Sequence, residues 1–217
     1  YAVGAAFALS RVMLKATLIF SLASAVVIAQ ETGPTSSPQQ NMVLAAQVML
    51  DAAGFSPGEI DGRAGANFGR AAAAYQHSRG LDTSGRVDDA TLERLRQDFR
   101  GQPPVIRYTI TDGDIAGPFQ PDLPADLVAQ SKLPSLDYRD SLEALAEKFH
   151  ASQALLRSLN PGQTFAQAGE QIAVPNVMAM DVVTTRADTR RTGARIVVTQ
   201  KTSALTVEDA EGRVLFF

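Results

Sequence analysis

Apolar residues recur at helical spacing in three successive segments of the chain between residues 41 and 100. The three apolar faces are Ala45, Val48, Ala52 and Phe55, then Phe68, Ala71, Ala72 and Tyr75, then Leu92, Leu95 and Phe99. Because positions three, four and seven residues apart share one side of an α-helix, each segment is predicted to bury one face. Gly54 and Gly80 mark helix ends, and Asp88 is placed as an N-cap. The pattern predicts a three-helix bundle.

The two connections between these helices, GFSPGEIDG and GLDTSGRVD, resemble each other, and we expect Ile60 and Val87 to anchor both in a common core. The glycine-rich run at 57–76 does not fit the pattern of a phosphate loop or of a calcium loop. No Lys follows its glycines, a helix precedes them, and only Glu59 and Asp61 carry carboxylates. We therefore interpret the glycines as backbone positions of positive φ, and Asp61 as a side chain that holds the turn.

Residues 104–178 carry a mixed pattern that predicts a second module. Residues 105–110 alternate as in a β-strand, and residues 169–175 fit a strand that returns later. Four prolines between residues 118 and 134 mark a stretch that we interpret as an insertion or lid. A generic helical linker domain is the alternative.

Two helices are predicted between that insertion and the returning strand. Asp140 and Glu143 form a capping-box-like pair at the start of the first helix, and Ser152 starts the second. Their apolar positions are Leu142, Leu145, Ala146, Phe149, Leu155, Leu156 and Leu159. Asn160 then opens a turn that closes the second helix.

Short β-rich segments follow at 195–199, 204–208 and 213–217, with a turn at 209–212. A three-stranded meander without a covering layer is only marginally stable. These strands are therefore expected to need a partner.

The N-terminal region has the pattern of an export signal. Arg11 and Lys15 come just before an apolar run from Ala16 to Ile28. This run is about as long as the hydrophobic core of a signal peptide and is short for a membrane span. We expect a signal peptide or membrane anchor over 1–30 and a linker over 31–40. A buried core helix is the alternative.

Composition narrows the chemistry. The 217 residues include no Cys, so this chain has no disulfide, zinc-thiolate site or thiol nucleophile, and the only histidines are His77 and His150. The net charge of −3 gives no electrostatic reason to expect nucleic acid or an anionic membrane as partner. We expect His77 to be exposed and His150 to lie at a helix end, and we predict no catalytic residue, metal or cofactor. Asp112 and Asp114 are interpreted as turn formers.

The first segment resembles a known family over roughly residues 40–100. It contains Gly54-Phe55, Pro57-Gly58, Ile60-Asp61-Gly62, Tyr75-Gln76 and Arg79-Gly80-Leu81 in the order of the type-1 peptidoglycan-binding domain. The resemblance implies a three-helix module of bacterial cell-wall enzymes, with peptidoglycan as the partner. Phe68 and Ala72 depart from the family pattern. Asp61, Arg63, Asn67 and Arg70 are the candidate binding residues, and the arginines suit stem-peptide carboxylates.

Residues 108–114, YTITDGD, resemble the opening of a LysM domain, and residues 169–175 its returning strand. The resemblance implies a small βααβ unit that binds N-acetylglucosamine-containing glycans in a groove between the first strand–helix loop and the second helix–strand loop. The candidate residues by position are Gly113, Asp114, Ile115, Asn160, Pro161 and Gly162. The Pro-rich insertion departs from the family, and Asn160 has the alternative role of ending a helix.

The C-terminal stretch IVVTQKTSALTVEDAEGRVLFF is similar to the first strands of the L,D-transpeptidase catalytic domain. The resemblance and the order of modules imply the exported, periplasmic N-terminal part of an enzyme that cross-links stem peptides with a Cys nucleophile, which would lie beyond Phe217. The expected fold is multi-domain, mainly α with small α+β parts. The alternatives are a non-enzymatic wall-binding or structural protein, or the targeting region of a wall hydrolase.

Overall fold

The computed structural model describes residues 38–177 and 193–217. The predicted segment at 1–30, and the linker up to residue 37, lie outside the described residues. The fold is mixed, with helices and small antiparallel sheets. The helices are α1 Pro38–Ala52, α2 Ala66–Ser78, α3 Asp89–Asp98, α4 Asp112–Ile115, α5 Leu127–Gln130, α6 Ser141–Lys148 and α7 Gln153–Leu159. The strands are β1 Val105–Thr109, β2 Gln171–Pro175, β3 Arg195–Thr199, β4 Ala204–Glu208 and β5 Val214–Phe216.

Helices α1, α2 and α3 pack around one core and form what we call the helical bundle. The core comprises Val43, Ala46, Met49, Leu50, Phe55, Phe68, Ala71, Ala72, Tyr75, Leu92 and Leu95. Asp88 caps α3 by accepting a hydrogen bond from the Thr91 amide at 2.8 Å, as its position predicts. Gly54 and Gly80 follow α1 and α2 with φ of +85° and +66°, which confirms them as helix-ending glycines.

Helix α1 is buried on two sides, which differs from the single face predicted for it. Leu44 and Val48 point into a second core, while Val43 and Leu50 belong to the bundle core. Ala52, which the periodicity placed on the buried face, is exposed. Because α1 lies between two cores, apolar residues occur on most sides of the helix. A pattern that assumes a single buried face therefore placed Ala52 in the core by mistake.

The second core belongs to what we call the two-stranded unit, Val105 to Val177. Strand β1 pairs antiparallel with β2, from Val105 opposite Pro175 to Thr109 opposite Gln171. Helices α6 and α7 cover this pair with Leu142, Leu145, Ala146, Phe149, Leu155 and Leu156. The Pro-rich insertion carries α5, and its ends are joined where the Gln120 amide donates to the Tyr138 carbonyl at 2.8 Å.

Ile60 and Val87 do not share a core, contrary to the sequence prediction. Ile60 is fully buried in the core of the two-stranded unit, whereas Val87 packs against the bundle core. The reason is a parallel β-bridge between Ile60 and Ala151, which holds the first loop against the two-stranded unit.

Strands β3, β4 and β5 form an antiparallel meander, which we call the C-terminal sheet. It docks on the bundle, because the Phe217 amide donates to the Gly54 carbonyl at 3.0 Å and the Ser56 amide donates to the Phe217 carbonyl at 2.7 Å. Val214 and Phe217 pack against the bundle core. Among the described residues, no helix is long and apolar enough to cross a bilayer.

Candidate functional site

Two buried glutamines fix the loops that shape the bundle surface. The Gln47 side-chain amide donates to Asp61 Oδ1 at 2.9 Å, and its Oε1 accepts from the Gly62 amide at 2.8 Å. Gln76 holds the second loop in the same way, donating to the Arg86 carbonyl at 2.8 Å and accepting from the Gly85 amide at 2.8 Å. The two similar loops therefore share one mechanism, in which a buried amide side chain satisfies loop backbone groups that packing removes from water.

A cavity of about 290 Å³ opens at the start of α2, between α1 and the second of these loops. We call it the bundle groove. It is lined by Gln39, Met42, Val43, Ala46, Ala64, Gly65, Phe68, Gly69, Gly85, Arg86 and Val87. Gly85 is essential to this shape, since its φ is +70° and a Cβ there would lie 2.9 Å from the Gly69 carbonyl oxygen. The groove is thus lined mainly by apolar residues, with Arg86 as its charged lining residue.

Three arginines lie in or next to the bundle groove in the chain, and one carboxylate, Asp88, adjoins its lining residue Val87. Arg86 lines it, and Arg63 and Arg70 adjoin the lining residues Ala64 and Gly69 in the chain. None of these three arginines forms an ion pair with a carboxylate in residues 38–177 or 193–217. Guanidinium groups without internal carboxylate partners are available to an anionic ligand.

None of the four binding residues predicted around the start of α2 is among the residues that line the groove, and their surroundings differ. Arg63 and Asn67 are exposed, and Arg70 donates a hydrogen bond to the Asn67 side-chain oxygen. Asp61 accepts from the Arg63 amide at 2.9 Å as well as from Gln47, so it holds the turn as predicted. Arg86 was missed by the sequence reasoning. The available signal was its place beside Val87, in the loop that repeats the pattern of the Asp61 loop.

A second cavity, of about 350 Å³, opens beside the ends of α6 and α7. We call it the loop cavity. It is lined by Asp140, Ser141, Leu142, Arg157, Asn160, Gly162, Gln163, Thr164, Phe165 and Ala166. The predicted residues Asn160 and Gly162 are therefore present, and Pro161 between them is exposed. Gly113, Asp114 and Ile115 are not among its lining residues, so the structure does not bring the two predicted halves together there.

The residues that face the 160–162 turn are instead Asp140 to Leu142, at the start of α6. Asp140 caps this helix by accepting from the Glu143 amide at 2.8 Å, and Ser141 donates to the Phe165 carbonyl at 2.6 Å. The insertion lies between β1 and α6 in the chain. The loop at the start of α6 therefore comes about 27 residues after the Gly113–Ile115 loop that was predicted from the sequence. The capping pair at 140–143 was the signal for it.

Asn160 acts as an internal brace. Its side-chain amide donates to the Leu156 carbonyl at 2.9 Å and to the Ala173 carbonyl at 2.8 Å, and its oxygen accepts from the Ala173 amide. These bonds tie the end of α7 to β2. Its alternative role, ending a helix, is the one that these contacts describe.

Asp114 is also engaged internally. Its carboxylate accepts from Lys148 Nζ at 2.7 Å, from the Tyr108 hydroxyl at 2.6 Å and from the Thr111 amide at 2.8 Å. Burial alone would raise the pKa of Asp114, but these hydrogen bonds lower it to about 2. Asp112 and Asp114 lie in helix α4, where Asp114 forms a capping box with Thr111, so Asp114 caps a helix start and is not the turn former that the sequence predicted. Gly113 is exposed and Ile115 packs on the core.

The described residues include no group of three or more His, Cys, Asp or Glu side chains placed to hold a metal ion. His77 is exposed, as predicted. His150 follows α6 and contacts Asp51, with 3.0 Å between His150 Nδ1 and Asp51 Oδ2.

Comparison with known proteins finds a similarity over the helical bundle. Residues 39–95 match the model of the family described as "Putative peptidoglycan binding domain". This match confirms the resemblance expected for the first segment, and every residue that lines the bundle groove lies within it. No curated protein matches the chain.

Proposed function

We propose that this protein binds peptidoglycan, and that the bundle groove is its binding site. The observation that carries the proposal is the position of the groove, which lies wholly inside the segment that resembles peptidoglycan-binding domains. A concave surface with an apolar floor and a few polar groups at its edge is the usual form of a ligand site.

The chemistry of the groove favours the stem peptide over the glycan strand. Stem peptides present methyl groups beside carboxylates, and the groove offers apolar Val43, Phe68 and Val87 beside the Arg86 guanidinium. Arginine binds carboxylates in paired, charge-assisted hydrogen bonds. Arg63 and Arg70 add positive charge next to the groove.

Paired variants test this site. Arg63→Ala with Arg86→Ala removes two exposed arginines beside the groove, and Arg96→Ala with Arg107→Ala removes two exposed arginines elsewhere, so the net charge changes equally. Since a hydrogen bond to a charged group contributes about 1.5–3 kcal/mol, we expect the first pair to weaken sedimentation with purified bacterial sacculi by about tenfold or more. Equal binding of the two double variants would exclude the groove as the site.

For the two-stranded unit we propose a LysM-like glycan site at the loop cavity. Two observations support this proposal: α6 and α7 precede the returning strand β2 and pack on the antiparallel β1–β2 pair, and the cavity combines polar and apolar lining residues. Ala166→Trp should fill the cavity and abolish binding of soluble N-acetylglucosamine oligomers. Ala154→Trp, on the exposed side of α7, should leave it unchanged. Oligomer binding that survives Ala166→Trp would argue against a site in this cavity.

We further propose that the chain is the N-terminal, exported part of a periplasmic L,D-transpeptidase. The order of its parts and the form of the C-terminal sheet support this. The sheet exposes Ile196, Val198 and Leu205, at 67%, 67% and 52%, which is an apolar surface that further layers of a β domain would cover. Because the sequence lacks Cys, acyl transfer needs a thiol from outside these 217 residues. A reading frame that continues into a Ser-x-Gly-Cys motif would support this proposal, and one that encodes a zinc-ligand set instead would favour a hydrolase.

A further inference from the structure

The helical bundle and the two-stranded unit meet in a polar cleft of about 280 Å³. Asp51 from the last turn of α1, Glu59 from the first bundle loop, and Glu147 and His150 from the end of α6 line this cleft. His150 is the cation-forming group among its lining residues, and it faces three carboxylates. The electrostatics of the junction therefore depend on the charge of one imidazole.

Two main-chain hydrogen bonds cross the same junction. The Ile60 amide donates to the His150 carbonyl at 2.8 Å, and the Ser152 amide donates to the Ile60 carbonyl at 2.9 Å. They hold His150 at a φ of +53°, a left-handed conformation that is uncommon for residues other than glycine. The hydrogen bonds to Ile60 of the helical bundle thus hold the His150 backbone in place. In this position the His150 side chain reaches Asp51 of α1.

The His150 imidazole and the Asp51 carboxylate form a hydrogen-bonded ion pair across this junction. Nδ1 and Oδ2 are 3.0 Å apart, and the two side chains are 28% and 14% exposed. The hydrogen bond that the imidazole donates to Asp51 raises the pKa of His150 and outweighs burial, which lowers it, while the charges of Asp51 and Glu147 raise it further. Protonation and closure of the junction therefore favour each other.

We propose that the His150–Asp51 pair is a pH-sensitive clasp between the helical bundle and the two-stranded unit. A raised pKa means that the clasp contributes its full stability below the ordinary histidine value of 6.5 and loses it as the pH rises through the raised value. Above that pH, Asp51, Glu59 and Glu147 face one another across a neutral imidazole. The junction then retains its two main-chain bonds and the contacts of Leu44, Val48 and Ile60, but it opens more often.

The consequence for wall binding rests on the proposed function, whereas the clasp itself does not. With the clasp closed, the bundle groove and the loop cavity have one fixed relative orientation. With it open, their orientations vary, and the effective concentration of the second site after the first has bound changes.

Hydrogen exchange of the two junction amides tests the clasp directly. The protection of the Ile60 and Ser152 amides, corrected for intrinsic exchange, is measured from pH 5.5 to 8 relative to the Phe99 amide inside the bundle. We expect it to fall by about twofold to fivefold as His150 deprotonates, because ion pairs at partly exposed sites stabilise the closed form by about that factor. His150→Gln and Asp51→Asn should each remove this fall. His77→Gln, at the exposed histidine, should retain it.

Protection that stays constant in the wild-type protein while the His150 ring titrates, followed by NMR, would overturn the proposal. The same conclusion would follow if the fall persisted in Asp51→Asn. Asp51→Asn also keeps the test decisive if His150→Gln does not fold, since it removes the carboxylate and leaves the imidazole in place.

Discussion

Two buried glutamine side chains hold the two loops of the helical bundle in place, and the second loop lines the bundle groove. Gln47 and Gln76 are 1% and 0% exposed, and each satisfies backbone groups of a glycine-rich loop. Periodicity places both among apolar neighbours and gives no hint of their partners. The role of Asp61 was predictable, because an Asp-Gly pair in a turn bonds its own backbone. The hydrogen bond from Gln47 to Asp61 was not predictable, because the two residues are 14 positions apart in the sequence.

Replacing Gln47 with Ala should lower the free energy of unfolding by about 2–4 kcal/mol. The substitution leaves the Gly62 amide without its partner and removes one of the two hydrogen bonds to Asp61 Oδ1, and an unsatisfied buried polar group costs about 1–3 kcal/mol. Urea denaturation measures the effect. Gln97→Ala, at an exposed position of α3, is the control and should change stability by less than about 0.5 kcal/mol. Equal effects would mean that the loop does not depend on Gln47.

Asp114 makes stability depend on pH. Its pKa in the folded protein is about 2, below the ordinary value of 3.8, so its ionised form contributes stability above pH 4 that is lost as the pH falls toward 2. Between pH 5 and pH 3 the wild-type protein should lose about 1 kcal/mol more than Asp114→Asn. Urea denaturation of both proteins at the two pH values gives the difference. Parallel losses would show that Lys148 and Tyr108 do not stabilise the carboxylate.

At the scale of elements, the sequence predicts where helices and strands lie better than what they pack against. Helices α2, α3, α6 and α7 occur where spacing and caps predicted them. The two buried sides of α1 could not be predicted, because a helix shared by two cores lacks a single apolar stripe. The start of α6 was not chosen for the loop cavity for a different reason: the insertion separates it from β1 in the chain, so the loop that directly follows β1 was chosen instead.

Sharing α1 predicts that the two cores lose stability together. Leu44→Ala removes a side chain from the core of the two-stranded unit while altering a helix of the bundle, and such a truncation costs about 2–4 kcal/mol. Amide exchange should therefore accelerate in α6 and α3 alike. Met42→Ala, at an exposed position of the same helix, is the control. Acceleration confined to α6 would show that the two cores open independently.

For the whole molecule, the loop between α1 and α2 connects three parts: the helical bundle, the two-stranded unit and the C-terminal sheet. Its beginning pairs with Phe217 of the C-terminal sheet, and its end pairs with the 150–152 segment. Gly54 lies beneath Phe216, because a Cβ added to it would stand 2.7 Å from the Phe216 ring. This loop fixes the sheet and the two-stranded unit to the same bundle.

Gly54→Ala should release the C-terminal sheet. Both Gly54 and Gly212 have positive φ, of +85° and +80°, but a Cβ at Gly212 meets nothing within 4 Å. Gly212→Ala therefore carries the backbone strain without the clash. Exchange of the Ser56 and Phe217 amides should be about tenfold faster in Gly54→Ala than in Gly212→Ala. Similar rates in the two variants would mean that the close approach of Phe216 does not hold the sheet.

NMR titration of the isotope-labelled protein with a soluble muropeptide shows whether the bundle groove receives stem peptides, as proposed above. Binding in the groove should cause saturable shift changes concentrated at Val43, Phe68, Gly85 and Val87, and Arg63→Ala with Arg86→Ala should weaken them. Shift changes that leave these residues unmoved, or that persist unweakened in the double variant, would contradict that proposal.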